Sequence, residues 1–572
     1  MSVKYLGKPA RHFVPEHLSF ESWKNIEPYF VQLSERSIGN VEELSQWCRD
    51  LSELESVLSE ELAWRYIKST CDTANEELSQ AYEFFITEIE PNAAPWVDKL
   101  NKKLDACPFR EQIDSDVYAI WFKLVKNEIS LFREANIPLF TEADTLSQEY
   151  GKIAGAQTVE LDGKLCTLQQ AANYLKYTDR ARREEAFHKI WERRIEDKTK
   201  LDDLFDQLIA IRQKIAGNCG FDNYRDYMFA AMARFDYTKQ DCFDFHLAIE
   251  KEVMPVMHSI DEKRRQALKL EPLRPWDMDV DVTGKPPVKP FKDGRELIDK
   301  TVKCLEVIHP DFAEYIRIMD QMKHFDLDSR IGKAPGGYNY PLAETGVPFI
   351  FMNSAGSLRD LVTMVHEAGH AVHSFLMNPL PVKPVKDPPS EVCELASMAM
   401  ELITMEHWDV FISDKEELRR AKKEQLEKVI GTLPWVAAVD AFQHWVYENK
   451  NHTPEMRDAA WVKIISRFDS GVADWKGFEH IRNTSWQKQL HIFEVPFYYI
   501  EYGIAQLGAI AVWRNYKNNP EQALRQYSQA LQLGYTRPIG EIYKAAGVKF
   551  DFSVGYVKEL MEFVQTELNK LD

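Results

Sequence analysis

The chain has 572 residues, 45% of them hydrophobic and 12% aromatic, with only 24 Gly and 27 Pro. That composition builds a large core and excludes collagen-like, low-complexity and wholly disordered classes. The formal net charge of −19 repels phosphate backbones, and no apolar run reaches the roughly 18 residues of a membrane-spanning helix, so neither nucleic acid nor membrane is an expected partner.

The first twenty residues lack an apolar signal-peptide core. Eight cysteines, at 48, 71, 107, 166, 219, 242, 304 and 393, have no CxxC spacing and read as scattered core thiols. A cytoplasmic protein is expected. Leu44, Trp47, Cys48, Leu51, Leu54 and Leu58 recur at helical steps. Val159 to Leu165 alternates around Asp162-Gly163, a hairpin signal. Leu201, Leu204, Leu208, Ile211 and Ile215 define another helix, with Gly217 as its expected stop. Residues 271–291 hold Pro272, Pro275, Gly284, Pro286, Pro287 and Pro290 and read as a linker or long loop. Val347 to Met352 reads as a strand. Residues 379–389 are irregular, and Ser553 precedes a final helix. Residues 1–195 form an N-terminal helical region without a catalytic cluster. Residues 196–572 carry every candidate site.

His366-Glu367-Ala368-Gly369-His370 is an HExxH. Residues four apart share a helix face, so both imidazoles reach one ion. Glu367 is placed to touch a water on that ion rather than the ion itself. Ser357 and Asp360 form a capping box ahead of it. Leu361, Val362, Val365, Val372, Phe375 and Leu376 supply apolar faces on both sides. Gly369 costs about 1 kcal/mol of helix propensity, which points to close packing there.

A third ligand is expected from the helix after the Pro-rich break, capped by Ser390. Glu394 lies among Val392, Cys393, Leu395 and Ala396, and a buried carboxylate must be paired or metal-bound. Glu391 is the rival, but it sits in the first turn, where acids favour the helix dipole. Glu401, seven residues past Glu394, is expected to orient a ligand imidazole from behind. His373 lies about 10.5 Å along the helix axis from His366, too far to share the ion comfortably. It reads as a supporting or substrate-facing residue, or as simple packing.

Pro496 suits a helix first turn, placing Tyr498 and Tyr502 on one face. Such hydroxyls, or His491, can donate to an oxyanion; aromatic pairs at this spacing are also ordinary core. Gly336, Gly337 and Tyr338 form a mobile-looking turn without a P-loop signature. With the strand at Phe349, it could pair an extended peptide as an added strand, or be an ordinary loop. A di-iron carboxylate protein needs a second Glu-x-x-His. Glu185 and His188 supply one formally, but within a charged run that reads as a solvated face.

The motifs GKAPGGY (332–338), PFIFMN (348–353), HEAGHAVH (366–373) and EVCELASMAMEL (391–402), with LRPWD (273–277) and HIFEVPFYYIEYG (491–503), resemble the M3 family of zinc metallopeptidases, nearest its oligoendopeptidase F and Pz-peptidase-like branch. The resemblance implies a mainly α gluzincin, zincin-like, with a small β element near the metal. It implies two helical lobes around a deep channel, residues 1–195 belonging to one of them. It implies one Zn2+ per chain on His366, His370 and Glu394, with Glu367 as base. His491, Tyr498 and Tyr502 would contact the substrate or the oxyanion. Short unstructured peptides would be the substrates.

Overall fold

A computed structural model describes residues 4–5, 7–330 and 332–572, apart from the Ser115 side chain. The chain is mainly helical, with a two-stranded and a three-stranded sheet. It divides into two compact units, each built from three chain segments. One comprises Met1–Glu134, Lys289–Leu418 and Gly508–Phe550. The other comprises Ala135–Val288, Arg419–Leu507 and Asp551–Asp572.

In the first unit the helix Val41–Cys71 carries the expected periodic face, and Leu44, Trp47, Cys48, Leu51 and Leu54 are all buried. The Asn40 side chain accepts from Glu43 N and starts the helix. The later part of this helix supports the three-stranded sheet. Ala63 and Ile67 pack with Leu342, Phe349 and Phe351. Glu60 accepts the backbone N–H groups of Glu344 and Thr345 at 2.9 and 2.6 Å. The strand Phe349–Ser354 is central, parallel to Phe325–Asp328 and antiparallel to Tyr338–Tyr340.

That topology corrects two expectations. Both edges of the Phe349 strand are already paired, so Phe349 has no edge to offer a peptide. The outer position belongs to Tyr338–Tyr340. The Gly-rich turn is also tied down rather than mobile-looking. The Lys333 side chain is fully buried. Its Nζ donates to Asp326 Oδ1 at 2.8 Å, to the carbonyls of Asp326 and Asp328, and to Met352 O. Asn353 Nδ2 donates to Ala334 O and Gly336 O at 2.7 and 2.9 Å.

Two helices of this unit set the position of the HExxH. The first, Leu358–Met377, begins with the expected capping box between Ser357 and Asp360. The second, Ser390–Met405, has Ser390 as its first residue and Pro389 at the cap, so Ser390 is not the cap. A Cβ on Gly369 would stand 2.6 Å from Ser397 Cα and 2.8 Å from Ala396 O. Glycine is what lets the two backbones approach this closely.

The second unit shows how local rules give way to context. The hairpin Thr158–Leu161 with Lys164–Thr167 forms as expected, with Asp162 and Gly163 at φ 52° and 69°. The helix Lys198–Asn218 runs through Gly217. Gly220, at φ 84°, follows its end, and Phe221 N donates back to Ala216 O. The segment 271–291 is held by a buried ion pair. Asp277 is fully buried and accepts from Arg183 Nη2 at 2.7 Å and Arg180 Nη2 at 2.8 Å. Arg183 is itself buried, so the charged run near 180–185 is only partly a solvated face.

Two predictions follow from these contacts. Burial pushes the Asp326 carboxyl up, but hydrogen bonds from Arg330 and Lys333 outweigh it and hold it at about 2. A carboxylate depressed below its unfolded value stabilises the fold above about pH 4, and that contribution disappears as pH falls toward 2. Asp326→Asn should therefore lose less stability than wild type between pH 4 and pH 2, read as urea midpoints; identical losses would sink this assignment. Gly369→Ala should cost roughly 1–3 kcal/mol by overpacking, read in thermal or urea unfolding. An unchanged midpoint would show that the helix pair yields freely.

Candidate metal centre

The helix pair brings three donors together. His366 Nε2 lies 3.3 Å from Glu394 Oε2, and His370 Nε2 lies 3.9 Å from the same oxygen. One donor atom from each of His366, His370 and Glu394 falls within 4.8 Å of the others. The i, i+4 spacing supplies the two imidazoles, and Glu394 comes from the facing helix. On its other side, His366 Nδ1 sits 2.7 Å from Glu401 Oε1. The Glu401 carboxylate accepts the Nδ1 proton, and Nε2 on the other edge of the ring faces Glu394 Oε2. Ser397, which sequence reasoning passed over, donates Oγ–H to Glu394 Oε2 at 3.1 Å. It lies one helical turn beyond Glu394, a spacing that could have marked it.

Burial and charge set the proton inventory. Burial raises the Glu394 carboxyl, but His366 and His370 pull it down to about 2. Burial pushes His370 down to about 4. Burial also opposes a charge on His366, yet Glu394 and Glu401 hold its proton well above the ordinary imidazole range. Glu367 is buried, which lifts its carboxyl to about 7. The ligand-type side chains are not uniformly enclosed. Glu394 keeps 7% of its side-chain surface, whereas His366 and His370 keep 19% and 18%. The imidazole side is therefore the approachable one.

His373 is buried, its Nε2 has no hydrogen-bond partner, and burial holds its pKa down at about 3. The Gly-rich turn and its strand lie close by in the chain's packing. Asn339, between Tyr338 and Tyr340 on the outer strand, donates Nδ2–H to Glu367 O at 3.1 Å. Tyr338 stacks on Phe351 at 4.8 Å and shares a hydrogen bond with Thr70 Oγ1. A Cβ on Gly337 would stand 3.3 Å from Phe351 O, and Gly336 has φ 98°. Phe349 is buried in the sheet.

His491, Tyr498 and Tyr502 belong to the second unit, where they form one ring cluster. Tyr498 and Tyr502 centroids are 5.3 Å apart, and His491 lies 5.8 Å from Tyr502. Tyr499, which the sequence reading left out, meets His491 edge-on with ring centroids 4.8 Å apart. The helix starts at Tyr499, not at Pro496, so Tyr498 stands in the preceding turn. The cause is Phe497, whose φ of 69° a non-glycine residue rarely adopts. Gln443 Oε1 accepts its N–H at 2.7 Å, and the Arg234 guanidinium donates to its carbonyl and to Glu501. Gln489 Nε2 donates to His491 Nδ1 at 2.7 Å while its Oε1 accepts from Trp435. A neutral His491 then carries its proton on Nε2, as a donor.

Among the described residues, the groups able to hold a metal include neither Glu185 nor His188. His188 stacks on Phe478 and Trp276 instead. No helix among the described residues is long and apolar enough to cross a membrane.

Comparison with known proteins agrees with the geometry. The model of peptidase family M3 matches residues 173–562, and that of the peptidase M3 N-terminal domain matches residues 16–132. The solved structure of PZ peptidase A with inhibitor 2 superposes with a TM-score of 0.91 at 28% identity, covering 98% of this chain and 100% of that one. The oligoendopeptidase F homolog of Borreliella burgdorferi is 21% identical over 483 residues, 81% of this chain and 80% of that protein. Oligopeptidase PepF of Bacillus subtilis is 22% identical over 299 residues, 52% of this chain and 44% of that protein. Several of these curated relatives are thus matched over only about half their length. With the family model spanning well over half of the sequence, the chain belongs to peptidase family M3.

Proposed function

We propose that this chain is a zinc-dependent endopeptidase that hydrolyses internal bonds of short, unstructured oligopeptides. The observation that carries this reading is the donor set of His366, His370 and Glu394 beside the buried carboxyl of Glu367. The residues suit a zinc ion. Two imidazole nitrogens and one carboxylate oxygen are a ligand set of catalytic zinc sites, which keep a further position open. The partly exposed imidazole side supports such an opening. When bound, the ion would supply Lewis acidity, polarising the scissile carbonyl and acidifying a water.

The remaining work falls to side chains. Glu367 accepts the proton of the attacking water and returns it to the leaving amine. A carboxyl lifted to about 7 is suited to both transfers near neutral pH. Glu401 holds the His366 ring in the required tautomer. Tyr498, Tyr502 and the Nε2–H of His491 donate to the oxyanion, and the turn at Gly336, Gly337 and Tyr338 positions the peptide. The outer strand Tyr338–Tyr340 supports that role, since an extended peptide adds naturally at a sheet edge. Phe349 serves from beneath, as the partner strand. His373 has the place of a packing residue behind the ligand His370.

The reading is tested with a mixed peptide library digested by the purified protein and read by mass spectrometry. Cleavage should stop with a chelator and return with zinc. Glu367→Gln should keep its zinc and lose about 10²–10⁴-fold in turnover. Near-wild-type activity in that variant would remove Glu367 from the mechanism, and chelator-insensitive cleavage would remove the metal. Glu401→Ala should weaken zinc binding about 10–100-fold by freeing the His366 ring, measured by competition with a zinc-binding dye. Unaltered affinity would leave Glu401 without an orienting role.

A further inference from the structure

A second cluster of metal-type donors lies wholly inside the other unit. Cys242 and His246 are i, i+4 on the helix Lys239–Ala248, and Asp440 and His444 are i, i+4 on the helix Lys415–Glu448. All four are at least nine-tenths buried: Cys242 2%, His246 4%, Asp440 0% and His444 2% exposed. One donor atom each from Cys242, Asp440 and His444 falls within 4.8 Å of the others.

The hydrogen bonding around these groups is incomplete in a directed way. His246 Nε2 is 2.8 Å from Asp440 Oδ2 and donates to it. Asp440 Oδ1 has no partner, and neither ring nitrogen of His444 makes a hydrogen bond. His444 Nε2 lies 3.3 Å from Asp440 Oδ2, within ion-pair reach but not aligned as a hydrogen bond. Aromatic rings fill the space around the imidazole, with Phe243 at 4.9 Å and Phe497 at 5.4 Å. Buried polar atoms are nearly always satisfied. A cation held by Asp440 Oδ1, a His444 nitrogen and Cys242 Sγ satisfies the carboxylate and one of the two imidazole nitrogens.

We propose that Cys242, Asp440 and His444 bind a second, structural Zn2+, with His246 holding the Asp440 carboxylate from behind. Thiolate, imidazole and carboxylate together select zinc over the oxygen-seeking Mg2+ and Ca2+. On binding, Cys242 gives up its thiol proton to solvent and becomes the thiolate ligand. The consequence is local bracing. The ion would pin the helix Lys239–Ala248 to the helix Lys415–Glu448, whose His444 packs on Phe497 and whose Gln443 holds the Phe497 N–H. The site would thereby stiffen the strained turn that leads into Tyr498. This inference is independent of the peptidase reading, which uses neither helix for its metal.

The test uses the full-length protein loaded with Zn2+ or Co2+ and freed of unbound metal by gel filtration. Elemental analysis should find two metals per chain in wild type and one in His366→Ala/His370→Ala. The cobalt form of both proteins should show a near-ultraviolet thiolate-to-cobalt charge-transfer band. The His366, His370 and Glu394 set has no sulfur and cannot produce it. Cys242→Ser changes a single atom and should abolish the band. Should His444→Ala fail to fold, the band in His366→Ala/His370→Ala still decides the matter. One metal per chain in wild type with no thiolate band overturns the second site and leaves the first standing.

Discussion

The candidate metal centre depends on the closeness of two helix backbones at Gly369. His366 and His370 flank that residue by three and one positions, and Glu394 and Glu401 flank Ser397 by three and four. The donors meet because the helix Leu358–Met377 and the helix Ser390–Met405 touch where a Cβ would stand 2.6 Å from Ser397 Cα. A methyl group there would push apart both His366–Glu394 and His370–Glu394. The roughly 1 kcal/mol that glycine costs a helix interior is offset by this packing. The capping box at Ser357 and Asp360 fixes where the first helix starts, and so the rotation at which its imidazoles emerge.

Around that contact, two buried carboxylates have opposite tendencies. Glu394 faces two imidazoles and stays ionised down to about 2, whereas burial lifts Glu367 to about 7. Their chemistry is the same, so their surroundings set the difference. One is kept as a permanent anion, suited to holding a cation. The other is poised to exchange a proton near neutrality. Although burial opposes it, Glu394 and Glu401 together hold the His366 proton well above the ordinary imidazole range.

Much of this was legible in the sequence, because it rests on short-range periodicity. The HExxH spacing, the Glu394 neighbourhood and the seven-residue step to Glu401 are helix geometry that any chain segment reveals. The packing role of Gly369 followed from its poor helix propensity. What escaped was set by distant partners. Gly217 looked like a helix stop, but the turn at Gly220 closes that helix. Pro496 looked like a helix start, until Arg234 and Gln443 held Phe497 in a left-handed conformation and moved the start to Tyr499. The Gly-rich turn looked mobile, yet the Lys333 ammonium at its start gathers carbonyls from two strands. The Phe497 turn depends on residues 54 and 263 positions away, which no local pattern encodes.

A pair of donors four apart on one helix, met by donors from a second helix, recurs at Cys242, His246, Asp440 and His444. Exposure separates the two places. The imidazoles of the first keep nearly a fifth of their side-chain surface, while the second is sealed among phenylalanines. A metal that works on substrate needs an open position, and one that only braces a fold is best closed off. Sequence spacing alone cannot tell these apart, since it says which side chains share a helix face and nothing about what covers that face. Burial makes the difference: an approachable donor set can present a reacting bond to Glu367, and a sealed one can only hold its two helices together.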